Sequence, residues 1–129
     1  CEGWVTMTKL EELLQNVRDE IGADVVGSDI VGVDGFSVAG FSVDPNLNRE
    51  AISAHFALAM KLALTVCEKL NLGELEDNLV TADKHITLCR SLGDGSYFWI
   101  LDVKKDATLG IVRLTMNDYA PKLWEAIPR

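Results

Sequence analysis

Positive charge is what this chain has least of. Its 129 residues carry 12 Lys plus Arg against 20 Asp plus Glu, a formal charge of −8 and a pI near 4.6. That balance repels phosphate backbones and anionic lipid heads, so neither a nucleic-acid partner nor membrane insertion is expected. Histidine is scarce as well, at two residues, which leaves little material for a triad or a zinc site. Three cysteines (Cys1, Cys67, Cys89) cannot all pair within one chain, and their spacing is unlike a secreted disulfide framework. No basic n-region followed by an apolar h-region opens the chain, and the longest apolar stretch, Ala51 to Cys67, is interrupted by His55 and Lys61. The expected compartment is the cytoplasm.

With 48% hydrophobic and 25% charged residues, the composition is that of one globular domain over 1–129, able to bury a core without disulfide or metal staples. Residues 1–7 are read as a poorly ordered or tag-derived lead. Residues 1–48 hold two basic side chains (Lys9, Arg18) against nine acidic ones and so account for −7 of the charge. This end could steer a basic partner, although the same charge also serves solubility.

Thr8 and Glu11 form a capping-box signature ahead of Leu10, Leu13, Leu14, Val17 and Ile21 at helical spacing, with Gly22 as the stop. From Asp24 to Val43 β-branched and aromatic residues surround Asp34-Gly35, a strong hairpin signal. Arg49 to Leu70 lacks Gly and Pro and predicts the longest helix. Leu79–Ala82 and His85–Leu92 predict a second hairpin. Tyr97 to Val103 is apolar without alternation, as for a strand covered on both faces and central in its sheet. Leu109 to Ile127 predicts a last helix, with a kink near Asn117 because Pro121 removes a donor. The expected fold is α+β, a five-stranded antiparallel sheet flanked by three helices in the order α-β-β-α-β-β-β-α.

The long helix has too much apolar circumference. On a helical wheel Leu62, Val66, Ile52, Leu70, Phe56, Met60 and Leu64 span about 200°, whereas one sheet contact needs a stripe a little over roughly 100° wide. The first and last helices could cover the excess within one chain. A second copy is the better candidate, because two-fold pairing brings the same patch together twice. The interface expected comprises Ile52, His55, Ala59, Leu62, Ala63 and Val66, with Leu79, Val80 and Thr81 offering an edge strand for sheet-to-sheet pairing.

Chemistry was sought and little was found. Gly27 and Gly32 have phosphate-loop spacing, but Val33 and Asp34 stand where Lys and Ser or Thr are needed. His85 and Cys89 would lie about 13 Å apart along a strand, too far to share a metal ion. His55 and Cys67 would lie about 18 Å apart along a helix. Asp24, Asp29 and Asp34 could supply paired carboxylates, yet turn and edge positions explain them more simply. Trp99 reads as core and Cys67 as a small hydrophobe. No catalytic, cofactor-binding or metal-binding residue is assigned, and no enzyme activity is expected.

Four stretches, Val31 to Ala39, Ala51 to Leu70, Leu109 to Arg113 and Leu123 to Pro128, together resemble the Roadblock family, the dynein light-chain Roadblock domain, including its bacterial gliding-motility regulators. Val31-Gly32-Val33-Asp34-Gly35-Phe36-Ser37-Val38-Ala39 is similar to the family's hairpin, and Ala51–Leu70 to its dimerising helix. Leu109-Gly110-Ile111-Val112-Arg113 resembles the segment opening its last helix, and the ending Leu123 to Pro128 is similar to bacterial members. Two places depart from the pattern, Gly27-Ser28-Asp29 in the first strand and Pro121 in the last helix.

The resemblance implies a profilin-like sheet, homodimers or Roadblock heterodimers, no catalytic residues, and service as a platform for a small Ras-like GTPase. Asp34, Gly35, Leu109, Gly110 and Arg113 would be structural motif residues, Arg113 included, rather than an arginine finger. Two alternatives stand beside this: a pure assembly module pairing with another Roadblock-like chain, and a small-ligand sensor with a pocket under the long helix.

Overall fold

The computed structural model describes residues 7–129. Residues 1–6 of the expected lead lie outside the described residues, and Met7 is exposed just ahead of the first helix. That helix, α1 (Lys9–Ile21), opens with the capping box the sequence spells: the Glu11 N–H donates to Thr8 Oγ1 at 3.1 Å, and the Thr8 N–H donates back to the Glu11 carboxylate. Two strands, β1 (Val25–Gly32) and β2 (Ser37–Ser42), follow as a hairpin, then the long helix α2 (Arg49–Lys69). A second run, β3 (Asn78–Thr81), β4 (His85–Leu92) and β5 (Tyr97–Lys104), leads into α3 (Leu109–Ala126). Every expected element is present in the expected order.

The sheet is antiparallel throughout, in the order β2-β1-β5-β4-β3, which puts β5 in the middle. Its unbroken apolar run follows from that place. Trp99, Leu101 and Val103 face one layer while Phe98 and Ile100 face the other, and all five are buried. Pro121 stands inside α3, which continues as helix from Leu109 to Ala126. The carbonyl of Asn117 loses its donor there, but Asn117 is exposed and water can serve it.

The two layers are unequal. On one face α1 and α3 together bury Leu10, Leu14, Val17, Val112, Met116 and Leu123 against Ile30, Leu88, Trp99 and Leu101. On the other face α2 alone lays Ala57 and Met60 over Val31, Cys89, Phe98 and Ile100, with Ile52, Phe56 and Leu64 alongside.

The polar stretch Gly27-Ser28-Asp29, which departs from the family pattern, is fully used. Ser28 Oγ accepts the indole N–H of Trp99 at 2.9 Å and donates to the Ile100 carbonyl at 3.2 Å, so the largest core side chain has its one polar atom paired. Asp29 is a correction to the turn-or-edge reading: it lies mid-strand in β1, 4% exposed, and accepts from Arg49 at the start of α2 at 2.7 Å and from Ser37 at 2.8 Å. A Cβ on the facing Gly40 would overlap that ion pair, so the strand can carry no side chain there.

Two glycine substitutions test the packing in opposite directions. Gly93 turns β4 into β5 at φ +55°, and a Cβ on it would overlap the Trp124 ring. Gly93→Ala is expected to cost about 2 kcal/mol or more in urea denaturation, combining left-handed strain with overpacking. Gly110, in the first turn of α3, has open space at its Cβ position, and Gly110→Ala is expected to stabilise by up to about 0.5–1 kcal/mol. Equal effects of the two would contradict the geometry.

Candidate functional site

The apolar excess of α2 stays uncovered in the single chain. Because α1 and α3 occupy the opposite face of the sheet, they cannot shield it, and cover from within the chain is ruled out for the described residues. The outward face presents Leu58 at 63%, Leu62 at 67%, Val66 at 41% and Leu70 at 65% exposure, with His55, Ala59 and Ala63 among them. Ile52 and the other large residues of the helix face the sheet instead. Leu58 was missing from the wheel reading; it belongs beside Leu62 and widens the stripe. By length and composition α2 also passes as a membrane span. Its packing on the sheet through Ser53, Ala57 and Met60 gives the same apolar character a role within a domain.

One edge of the sheet is open as well. β3 pairs only with β4, leaving its outer side open, and Val80 and Thr81 are exposed. Leu79 instead packs on the α1–α3 side, so by strand alternation Val80 points to the α2 side. Of the nine residues expected at an interface, seven are thus outward or half-buried at the surface, while Ile52 and Leu79 turn toward the core.

The motif residues hold turns and element ends. Asp34 Oδ1 accepts the Phe36 N–H at 3.0 Å, and the Gly35 N–H donates to the Gly32 carbonyl at 2.9 Å, closing the hairpin turn. Leu109 packs against the α1–α3 core, and Gly110 follows it in the first turn. Arg113 forks onto Asp77, with Nε and Nη2 donating at 2.9 and 3.1 Å, and so ties α3 to the connection before β3. Its guanidinium is engaged within the chain.

Titratable groups behind α2 are built into the packing. Among the described residues no three His, Cys, Asp or Glu are grouped to hold a metal ion. Burial pushes the Cys89 thiol up to about 12, far from a reactive thiolate. Asp29 holds the Arg49 guanidinium charged through its side-chain hydrogen bond. Asp102, on β5, lies in a narrow cleft with Asp29, Arg49 and Ile52 and accepts from Thr87 Oγ1 at 3.2 Å. Desolvation raises its carboxyl above the ordinary value; Asp44 adds to that, while His85 and Thr87 oppose it. The folded chain therefore takes up this proton more readily than the unfolded one, so ionised Asp102 costs stability at neutral pH. That cost is relieved as pH falls through the raised value toward the unfolded one. Asp102→Asn, which keeps an acceptor for Thr87, is expected to raise the melting temperature at pH 7 and to leave it unchanged near pH 3, where wild type is already protonated; a lower melting temperature at pH 7 would refute the assignment.

No protein-family model matches the sequence, and no curated protein matches it either. Solved structures do match. The gliding protein MglB of Thermus thermophilus superposes with a TM-score of 0.80 at 15% identity, over 92% of this chain and 87% of that one. A Roadblock/LC7 domain from Streptomyces avermitilis gives 0.77 at 12% identity, over 88% and 92%. Profilin II of Acanthamoeba castellanii gives 0.51 at 17% identity, over 93% and 98%. At such identities the likeness is one of architecture, and the chain has the Roadblock/LC7 fold, a profilin-like five-stranded antiparallel sheet flanked by three helices.

Proposed function

We propose that this protein is a non-catalytic, dimeric regulator or scaffold that pairs through the outward face of α2 and the edge of β3 and binds a small Ras-like GTPase in the cytoplasm. The observation that carries the pairing is the exposed stripe Leu58, Leu62, Val66 and Leu70. His55, Ala59, Ala63, Val80 and Thr81 complete the surface, with Ile52 and Leu79 at its inner margin. The resemblance of Val31–Ala39, Ala51–Leu70 and Leu109–Arg113 to Roadblock motifs, and the architecture shared with a gliding protein, support the GTPase as the partner.

Magnitudes favour pairing without making it tight. Full burial of a Leu or Val side chain is worth about 1.5–3 kcal/mol. Eight such side chains from two copies, each roughly half exposed beforehand, would contribute about 6–12 kcal/mol on that scale. Association itself costs about 4–15 kcal/mol. The stripe alone is therefore near balance, and backbone hydrogen bonds between two β3 edges supply the margin.

Light scattering is expected to give a particle near twice 14.2 kDa. Leu62→Glu, at an exposed position, should reduce it to a single chain with unchanged circular dichroism; a wild-type monomer at high concentration would end the proposal. For the partner, the Ras-like GTPase encoded nearest the gene, loaded with GDP or a GTP analogue, is the titrant. Binding in either state supports the regulator; a dimer that binds neither is the pure assembly module instead.

A further inference from the structure

At the opposite edge of the sheet from β3, a second surface is bare. Phe36, which leads into β2 from the hairpin turn, is 76% exposed, more than any other large apolar side chain among the described residues. Grooves flank it on both sides. One of 470 Å³ runs past Val33, Val38, Tyr97 and Arg129, and the other of 420 Å³ runs past Gly35, Glu50 and Ala54. Val38 and Val43 are exposed further along the same edge.

β2 is the outermost strand, so alternate residues direct backbone N–H and C=O away from the ladder. Chains usually blunt such an edge with lysine, proline, inward charges or brevity. β3, on the other side, has only four residues, whereas β2 has six, Ser-Val-Ala-Gly-Phe-Ser, with no charge and no proline. Its one protection of this kind is a bulge at Val38, at the hairpin end, beyond which Ala39 to Ser42 pair in regular register.

The charges around this edge select the occupant. Asp34, Asp44 and Glu50 flank it, and the Arg49 charge is taken up by Asp29; two cations stand nearby, Arg18 on the α1 side, 5.6 Å from the Phe41 ring centre, and Arg129 in the Phe36 groove, 3.9 Å from the Trp124 ring centre, so the acids outnumber the unpaired bases by three to two. A second copy seated by two-fold β2 pairing would set the Asp34 end of one strand against the Asp44 end of the other, acid facing acid. We propose that the β2 edge receives an extended segment of a different protein, one in which basic residues alternate with apolar ones, added as a sixth strand with Phe36 as its aromatic anchor. This surface is separate from the α2 stripe and requires nothing of the pairing proposed there.

The probe is a capped nonapeptide alternating lysine with valine, titrated at low salt, with a glutamate–valine peptide as control. The lysine peptide is expected to slow amide exchange within Ser37–Ser42, to bind Phe36→Ala at least about tenfold more weakly, and to be repelled by Val38→Lys. Both substitutions are at exposed positions, and circular dichroism should be unchanged. Four results would overturn the proposal: no binding, equal binding of the glutamate peptide, protection confined to α2 or β3, or a drop in particle mass on Phe36→Ala, which would give the patch to a second copy.

Discussion

A sheet has two faces, and this chain spends two of its three helices on one of them. With α1 and α3 side by side over Ile30, Trp99 and Leu101, the opposite face is left to α2 alone. A single helix over a sheet is wet on its back, and a helix that is apolar on its back as well must either be covered or remain a liability. The rest of the molecule's surface logic follows from this unequal division. It leaves Leu58, Leu62, Val66 and Leu70 in solvent, and the outer edges of β2 and β3 have no strand paired to them.

Because α2 has no helical neighbour, its seat must be fixed by the sheet. The Asp29–Arg49 pair does this at the first residue of the helix, anchoring it to an interior strand. Removing Arg49 would leave the Asp29 carboxylate unpaired with almost no contact with water, which is costlier than never having buried it, whereas the Arg49 side chain is 37% exposed and could turn to solvent if Asp29 were removed. The neighbouring residues make room for it: Gly40 has no Cβ where the guanidinium lies, and Ser37 supplies a second donor to the carboxylate. A glycine and two polar residues that look like weak points in their strands, Gly40, Asp29 and Ser37, thus form with Arg49 one device for placing a helix.

The parts of this architecture that are local were legible in the sequence. Thr8 with Glu11 gives the start of α1, Asp34-Gly35 gives the hairpin, and the unalternating Tyr97–Val103 run gives a central strand, because each depends on residues a few positions apart. What depends on distant residues was not legible. Asp29 looked like a turn residue because nothing near it in sequence announces Arg49, twenty positions later. Periodicity says that a helix has an apolar face, but not on which side of the sheet it lies. The choice between α1–α3 cover and outside cover therefore needed coordinates. Leu58 shows a smaller limit: a wheel drawn as one arc hides an apolar residue that sits among polar neighbours at its margin.

The two bare surfaces differ in a way that bears on what each can accept. The centre of the α2 stripe is uncharged, so a two-fold axis through it opposes no like charges, and self-association there is limited only by area and by the cost of ordering. The β2 edge is rimmed by Asp34, Asp44 and Glu50, and any self-pairing there doubles the acid it must bring together. Under ordinary screening a few such charges within about 10 Å are enough to decide between partners without contributing much affinity of their own. A chain with one self-complementary face and one acidic edge can hold a copy of itself on the first while leaving the second for something basic. The first surface is read from how little covers α2, and the second from how little protects β2.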